Sequence, residues 1–297
     1  MNAKNKLVKQ KLIETTFAAI FMACGVLAVG FVLVISVYLI ISGIPAIRQI
    51  GLAEFLFGQK WQPTASSEEP SYGILPFTLT SIYGTAGAIV LGVPVGILTA
   101  VYLSKVAPPK AALVLRSAVE LLAGIPSVVY GLVGMIVLVP WVQNTFGLSS
   151  GATLLSSIVV LAIMILPSII NVSDAALRAV PKEYEEASLA LGATKTETHF
   201  KVSIKAAKSG IATAVVLGVG RAIGEAMAII MVSGNVANMP GLLKSVRFMT
   251  TAIASEMSYA AVGSLQRQAL FSIGLVLFLF IMLINVFLNV FIKSRRS

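Results

Sequence analysis

Six long apolar stretches dominate this chain, and each is long enough to cross a lipid bilayer as a helix. The hydrocarbon core of a bilayer is about 30 Å thick, so a spanning helix needs about 20 mostly apolar residues. The predicted spans are 17–41, 74–103, 119–139, 152–170, 210–234 and 269–292. We therefore predict an all-α integral membrane protein with six transmembrane helices.

The composition and the distribution of charge agree with a membrane protein. Of the 297 residues, 57% are hydrophobic and 11% are charged, whereas soluble domains have about 45–50% and 25%. Sixteen of the 22 Lys and Arg residues lie in the predicted cytoplasmic segments, as the positive-inside rule requires. This distribution predicts cytoplasmic termini, 1–16 and 293–297, on either side of a six-span domain, 17–292. Because the basic residues are not interleaved with aromatic ones, we do not expect nucleic-acid binding.

One predicted span contains two charged residues, Arg221 and Glu225. If 210–234 is a single helix, the i, i+4 spacing puts both side chains on one face, within reach of each other. An isolated Arg at the bilayer centre costs roughly 2.5–3.5 kcal/mol on insertion scales, so it needs a partner. The pair is interpreted either as a structural ion pair between helices or as an anion site on a transport path, and its depth favours the second.

A proline lies inside the third predicted span. Pro126 lacks a backbone donor and should bend the helix. Ser127 and Tyr130, which follow it, either hydrogen-bond across helices and line a pathway or belong to a kink that only fits its neighbours. Outside the membrane, Trp61 is interpreted as an interfacial anchor, and 235–268 as an outer loop with short interfacial helices.

The longest polar stretch, about 171–209, predicts a short cytoplasmic helix. Pro181 suits its first position, and Gly192 suits its C-terminal cap. A second helix should begin at Thr194, which forms a capping-box pattern with Glu197. A helix of about ten residues is marginal in water, so it must dock on its own bundle, on lipid or on a cytoplasmic partner. The single histidine, His199, has no second ligand nearby, and no metal site is predicted.

The sequence of this loop is similar to a known signature. Glu186-Ala187-Ser188, then Gly192, then Val202-Ser203-Ile204 resembles the signature loop of permease subunits in bacterial ABC importers. The family pattern is Glu-Ala-Ala, three residues, Gly, nine residues and Ile-x-Leu-Pro, and Lys205 stands where the family has proline. The resemblance implies that the short helix sits in a groove of the ATP-hydrolysing subunit and passes its motion to the membrane helices. The residues expected to make this contact are Tyr184, Glu186, Ala187, Ser188, Leu191 and Gly192.

Two further motifs narrow the resemblance. Residues 120–131 (Glu-Leu-Leu-Ala-Gly-Ile-Pro-Ser-Val-Val-Tyr-Gly) and 220–228 (Gly-Arg-Ala-Ile-Gly-Glu-Ala-Met-Ala) resemble the PstC-type permease subunit of phosphate importers. They favour phosphate over sulfate or molybdate. Arg221 is the expected anion ligand, because its planar guanidinium matches phosphate oxygens. An Arg already paired with Glu225 needs help from a second cationic group, expected from a partner permease.

The resemblance also implies partners and a location. The partners are a second, related permease subunit, a dimer of ATP-binding subunits that holds ATP and Mg, and an extracytoplasmic phosphate-binding protein. The location is the bacterial inner membrane. The chain lacks a Walker A loop and the common hydrolase motifs, so we expect neither an enzyme nor a cofactor of its own. A passive anion channel and an intramembrane enzyme remain as alternatives, which ion currents without ATP and turnover without an ATPase would reveal.

Overall fold

The structure is a computed structural model that describes residues 3–64 and 69–294. Almost all regular structure in this part of the chain is helical. The helices are α1 (Ala3–Ile50), α2 (Leu52–Phe57), α3 (Leu75–Val101), α4 (Pro109–Gly124), α5 (Ser127–Val133), α6 (Val139–Phe146), α7 (Leu154–Arg178), α8 (Lys182–Ala190), α9 (Lys195–Glu197), α10 (Ile204–Ala206), α11 (Lys208–Gly224), α12 (Met227–Val232), α13 (Met249–Glu256) and α14 (Leu265–Ser294). Two short antiparallel strands, β1 (Trp61–Gln62) and β2 (Ser71–Tyr72), and three π-helical turns, Tyr102–Val106, Gly134–Leu138 and Thr198–Ser203, complete the fold.

Five stretches of helix are long and apolar enough to span a membrane by themselves: Ile13–Ile50, Leu75–Val106, Ser127–Phe146, Leu154–Arg178 and Leu265–Phe287. The number is six if the bent pair Lys195–Ala206 and Lys208–Gly224, whose two parts meet at 72°, is counted as one span. The prediction of an all-α membrane protein with six spans, separated after the fourth by a polar loop, is confirmed.

Helix α7 forms the centre of the bundle, and α3, α4 and α11 pack against it. Glycines on α3 allow the close approach. A Cβ atom placed at Gly92 would lie 2.9 Å from Ile165, and one placed at Gly96 would lie 2.7 Å from Ile169. Both isoleucines are fully buried, so a larger residue on α3 would push the two helices apart.

Helix α1 differs from the other spans because its apolar side chains are exposed along the most apolar part of its length. It runs on without interruption to Ile50, beyond the predicted end at residue 41. It packs along α14, where the Ser272 hydroxyl donates to the Gly43 carbonyl at 2.5 Å. Residues 65–68, between the first two predicted spans, and residues 295–297 of the predicted cytoplasmic C-terminus lie outside the described residues.

The third predicted span is wrong in its bounds. The structure separates 119–139 into the end of α4 and the start of α5, with Ile125 and Pro126 extended between them. A proline disfavours helical geometry in the residue before it, so Pro126 ends one helix and does not merely bend it. The span begins after the break and extends to Phe146.

The fifth predicted span is also interrupted. Helix α11 ends at Gly224, Glu225 is extended with φ −74° and ψ 131°, and α12 starts at Met227. Such a break is favoured because Gly224 can leave helical geometry at low cost, and because Glu225, which follows it, can accept a hydrogen bond from the first turn of α12. The helices that begin after the two breaks, α5 and α12, pack against each other, with Gly131 facing Ala228.

The helix in the predicted outer loop, 235–268, is not interfacial. Its helix α13 is inserted into the bundle, and Met249, Thr251 and Ala252 are fully buried. The Met249 amide donates to the Ser81 hydroxyl on α3 at 3.1 Å. Buried backbone N–H and C=O groups outside regular helices need hydrogen-bond partners, and side chains of α3 and of the loop provide them here.

Trp61 is a core residue at the end of the bundle that carries β1 and β2, which corrects the prediction of an interfacial anchor. Its indole N–H donates to both carboxylate oxygens of Glu256, at 3.1 and 3.0 Å, and its ring packs edge-on against Tyr72 and Phe77. Arg247 and Gln266 also donate to Glu256. We call Trp61, Arg247, Glu256 and Gln266 the outer cluster. It joins β1, the loop before α13, the end of α13 and the start of α14.

Candidate functional site

Arg221 lies in the last turn of α11, half-buried and inside the bundle. Its guanidinium donates to the Ser168 hydroxyl on α7 at 3.2 Å. Tyr130 of α5 lies within electrostatic range of this charge, so two of the predicted site residues, on separate helices, occupy the same region of the bundle.

The predicted ion pair between Arg221 and Glu225 is not formed among the described residues. Since α11 ends between them, the i, i+4 geometry of a continuous helix is lost. Instead, Oε1 of Glu225 accepts a hydrogen bond from the Ala228 amide at 3.0 Å, in the first turn of α12. Its backbone carbonyl accepts from the Thr250 hydroxyl at 2.7 Å. Glu225 therefore caps a helix and ties it to α13, and the positive charge of Arg221 is not neutralised by it.

Tyr130 and Ser127 lie in the first two turns of α5, directly after the break at Pro126. The Tyr130 hydroxyl donates to the Leu122 carbonyl at 2.7 Å and so closes the gap between α4 and α5. Ser127 is half-buried, and no hydrogen bond joins it to Arg221 within the described part of the chain. Tyr130 is thus held near the guanidinium, while a role for Ser127 at this site stays a prediction.

Glycines leave open space beside Arg221. A Cβ atom added at Gly220 or at Gly224 would meet no heavy atom within 4 Å. The helix surface is therefore open at these two positions, whereas the neighbouring residues Val219, Ala222 and Ile223 are buried. A cationic group with a neutral hydrogen-bond partner and free space beside it can receive an anion.

The predicted cytoplasmic helix is present as α8, one residue shorter at its start than expected. Pro181 is the N-cap and not the first helical residue. At the other end Gly192 has φ +86°, the Ala193 amide donates to the Ser188 carbonyl at 3.2 Å, and the Gly192 amide donates to the Leu189 carbonyl at 2.9 Å. These two bonds form a Schellman cap, which requires the left-handed conformation that glycine adopts easily. The predicted capping box at Thr194 and Glu197 is also present.

Helix α8 has an outer face and an inner face. Tyr184, Ala187 and Leu191 are exposed on the outer face, and Leu191 keeps 90% of its accessible surface. Glu186 is exposed as well. Ser188, expected to make the same contact as these residues, points inward, and its hydroxyl lies 2.9 Å from the buried hydroxyl of Thr198. The available docking surface is therefore apolar and consists mainly of Tyr184, Ala187 and Leu191.

Sequence reasoning missed the most important inward contact of α8. Glu185 lies 2.5 Å from the Lys105 ammonium and accepts a hydrogen bond from the Ser203 hydroxyl at 2.8 Å. Burial alone would raise the pKa of Glu185, but the hydrogen bonds from Lys105 and Ser203 outweigh it and lower this pKa. The sequence offered only a glutamate in the first turn, which the helix dipole already explains.

A second polar network lies at the same end of the bundle. Arg116 of α4 donates to both carboxylate oxygens of Asp174 on α7, at 2.9 and 3.1 Å, and to the Leu103 carbonyl at 2.9 Å. Arg178 pairs with the same carboxylate at 3.1 Å. Arg116 and Asp174 are 58 residues apart in sequence, so no local pattern could reveal that they meet.

Comparison with known proteins gives close relatives over the whole length of the chain. The probable ABC transporter permease protein YqgH of Bacillus subtilis is 37% identical, over 100% of this chain and 99% of that protein. The phosphate transport system permease protein PstC of Haemophilus influenzae is 31% identical, over 100% of this chain and 98% of that protein. PstC of Mesorhizobium japonicum is 32% identical over 92% and 88%.

Solved structures show the same fold at lower identity. The MetNI methionine ABC transporter, in inward facing conformations, has a chain that matches with a TM-score of 0.56 and 20% identity, over 75% of this chain and 94% of that chain. An amino acid ABC transporter gives a TM-score of 0.52 and 21% identity, over 74% and 92%. Residues 92–297, which include Arg221 and α8, match the family described as "Binding-protein-dependent transport system inner membrane component". This chain belongs to the family of inner membrane permease components of binding-protein-dependent transport systems.

Proposed function

We propose that this chain is a permease subunit of an ATP-driven importer of inorganic phosphate. It would form half of the translocation path, with a second, related permease subunit as the other half. A dimer of ATP-binding subunits, which holds ATP and Mg, and an extracytoplasmic phosphate-binding protein complete the proposed assembly. The chain itself would bind no cofactor and no metal.

The observation that carries this proposal is the environment of Arg221. Among the described residues, its guanidinium donates only to Ser168, a neutral partner, and the helix surface is open at Gly220, the preceding residue, and at Gly224, about one turn later. A guanidinium offers phosphate two parallel hydrogen bonds and stays charged at every physiological pH. The relatives named PstC support the choice of phosphate, whereas the name of YqgH gives no substrate.

The finding that Glu225 caps α12 changes the electrostatic requirement. A paired Arg221 would need a second cation before it could hold an anion. With Glu225 directed at the Ala228 amide, the full charge of Arg221 can face the substrate. A further cationic group from the second permease subunit would balance the remaining charge of a phosphate that carries between one and two negative charges.

The proposed mechanism is alternating access. The ATP-binding subunits would close and move α8, and the membrane helices would then switch the opening around Arg221 from one side to the other. In this proposal α8 and both termini are cytoplasmic, and the outer cluster faces the binding protein. Cysteines placed at Ser150 and Thr194 in a Cys24→Ser background test this topology, because only the former should react with an impermeant thiol reagent added outside.

Uptake by the reconstituted complex tests the function. Proteoliposomes that contain this chain with its permease, ATPase and binding-protein partners should accumulate labelled phosphate only when ATP is inside the vesicles. Sulfate or molybdate in tenfold excess should compete weakly. Stronger competition by sulfate or molybdate would assign the path to another oxyanion, and anion currents without ATP would assign the chain to passive channels.

A further inference from the structure

The inner face of α8 is fixed to two transmembrane helices by one carboxylate. Glu185 contacts Lys105 at 2.5 Å and Ser203 at 2.8 Å. Lys105 belongs to the π-helical turn at the end of α3, and Ser203 belongs to the π-helical turn that leads through α10 to α11. The side chains of Lys105 and Glu185 keep only 11% and 20% of their accessible surface, and Ser203 is fully buried. Such a contact is shielded from water and from salt.

One of the two helices reached by Glu185 carries the candidate translocation site, and the other packs beside a helix that contributes to it. Helix α11 bears Arg221, and α3 packs along α7, whose Ser168 accepts the hydrogen bond from Arg221. The turn that holds Lys105 is also bound by Arg116, which donates to the Leu103 carbonyl and to Asp174 on α7. A displacement of α8 would therefore act on α3, α7 and α11 through polar contacts and not only through the chain connections at its ends.

Other polar contacts near this carboxylate do not connect α8 to α3. The exposed pair Lys201 and Glu197, at 3.0 Å, lies within the loop itself and joins two neighbouring turns. Ser188 binds Thr198, which ties α8 to the same π-helical turn as Ser203 but does not reach α3. Among the contacts described for α8, only the Lys105–Glu185 pair joins it to α3 by a charge.

We propose that Glu185, Lys105 and Ser203 are positioning residues that transmit the movement of α8 to the translocation site. We call these three residues the transmission contact. This inference rests on the proposed function, because it requires an ATPase that moves α8. It assigns coupling to the inner face of α8, whereas the outer face with Tyr184, Ala187 and Leu191 is the surface that an ATPase would contact.

The experiment measures phosphate uptake and ATP hydrolysis by the full reconstituted complex. Lys105→Met keeps a side chain of similar length and removes the charge. We expect ATP hydrolysis to continue, while phosphate taken up per ATP falls about tenfold or more, equal to about 1.4 kcal/mol of coupling free energy. The exchange Lys105→Glu with Glu185→Lys should restore most of that ratio. The control Lys201→Met removes the exposed pair in the same loop and should leave the ratio unchanged.

Each result is decisive. Unchanged uptake per ATP in Lys105→Met would overturn the inference, as would an equal loss in Lys201→Met. If Lys105→Met fails to assemble, Ser203→Ala decides: it removes one hydrogen bond, and a normal ratio in that variant would also overturn the inference. If the unaltered complex shows no ATP-dependent uptake, the proposed function itself has failed. If the unaltered complex takes up phosphate and the variants keep the same uptake per ATP, only the inference about the transmission contact has failed.

Discussion

At the scale of single residues, Arg221 and Glu225 have separate tasks. The guanidinium donates to Ser168, and the helix surface is open at the nearby Gly220 and Gly224, while the carboxylate of Glu225 caps α12 through the Ala228 amide. An Arg without a carboxylate partner inside a span costs roughly 2.5–3.5 kcal/mol, which an arriving anion would offset. The cost is therefore consistent with a site that is charged when empty and neutralised when filled.

The different tasks predict different effects of substitution. Arg221→Lys keeps the charge but loses the planar guanidinium, which can donate two parallel hydrogen bonds to phosphate. Phosphate uptake should therefore fall by about tenfold or more, which equals roughly 1.4 kcal/mol of activation free energy. Glu225→Gln keeps an oxygen that accepts the Ala228 N–H, so uptake should stay near normal. Glu225→Ala should lower stability by about 1 kcal/mol, the usual value of a helix cap. Uptake assays and thermal unfolding in detergent measure these effects. Equal loss of uptake in Arg221→Lys and Glu225→Gln would show that the charge of Glu225 is needed.

The pKa of Glu185 predicts an acid-sensitive contribution to stability. Lys105, Ser203 and the nearby charge of His199 outweigh burial and lower this pKa below its ordinary value of 4.5. A group with a lowered pKa stabilises the fold above its unfolded pKa and loses that contribution as the pH falls through its folded pKa. The unfolding temperature of the wild type should thus exceed that of Glu185→Gln from about pH 7 to about pH 5, and the difference should shrink below pH 4.5. A constant difference down to pH 3 would contradict this assignment.

At the scale of elements, α8 shows how one short helix can serve two neighbours. Its outer residues are exposed and apolar, and its inner residues bind the rest of the chain. Because a helix of nine residues is marginal alone, the inner contacts and the caps hold it in shape before any partner arrives. Substitutions on the two faces should therefore affect different measurements.

Leu191→Ser and Ser188→Ala form a matched pair on these faces. Leu191 is 90% exposed, so its replacement should leave the unfolding temperature of the purified permease unchanged but reduce ATP-dependent uptake. Ser188→Ala removes a hydrogen bond to the buried Thr198 and should destabilise the fold by about 1 kcal/mol. Normal uptake by Leu191→Ser at equal protein level would remove the outer face as a docking surface.

Two breaks between helices bring the residues of the candidate site into one region of the bundle. The chain leaves helical geometry at Ile125–Pro126 and again at Glu225, and the helices that start there, α5 and α12, pack together. Tyr130 and Arg221 come within electrostatic range because α12, which follows α11 directly, packs against α5. Irregular backbone inside a membrane bundle is tolerated only where protein or a cavity satisfies it, which Tyr130 and Glu225 help to do by their hydrogen bonds.

At the scale of the whole molecule, polar clusters hold the two ends of the bundle. The transmission contact and the Arg116–Asp174 pair lie at one end, and the outer cluster lies at the other. In the outer cluster, Glu256 accepts from Trp61, Arg247 and Gln266, so a single carboxylate joins four segments of the chain. Arg247 also lies over the Phe77 ring at 5.9 Å.

Removal of that carboxylate should loosen the outer end. Glu256→Ala leaves the largely buried Arg247 without its ion-pair partner, which typically costs about 3–5 kcal/mol. Trp61 reports the change directly, because the chain has two tryptophans and Trp141→Phe leaves Trp61 alone. We expect a lower unfolding temperature and a red-shifted Trp61 emission, whereas Glu69→Ala, at an exposed position, should change neither. An unshifted emission in Glu256→Ala would contradict the role of the outer cluster.

The sequence alone determined the class of the protein, because apolar runs of span length and basic flanks follow from the properties of the bilayer. It also determined the ends of α8, since Pro181, Gly192 and the capping box act within a few residues. Only the tertiary structure decided that Glu225 caps α12, that Trp61 and α13 are buried, and that Lys105 meets Glu185. Hydropathy and helical spacing describe a continuous, isolated helix. Breaks inside a bundle and ion pairs between distant segments depend on neighbours that local sequence does not specify.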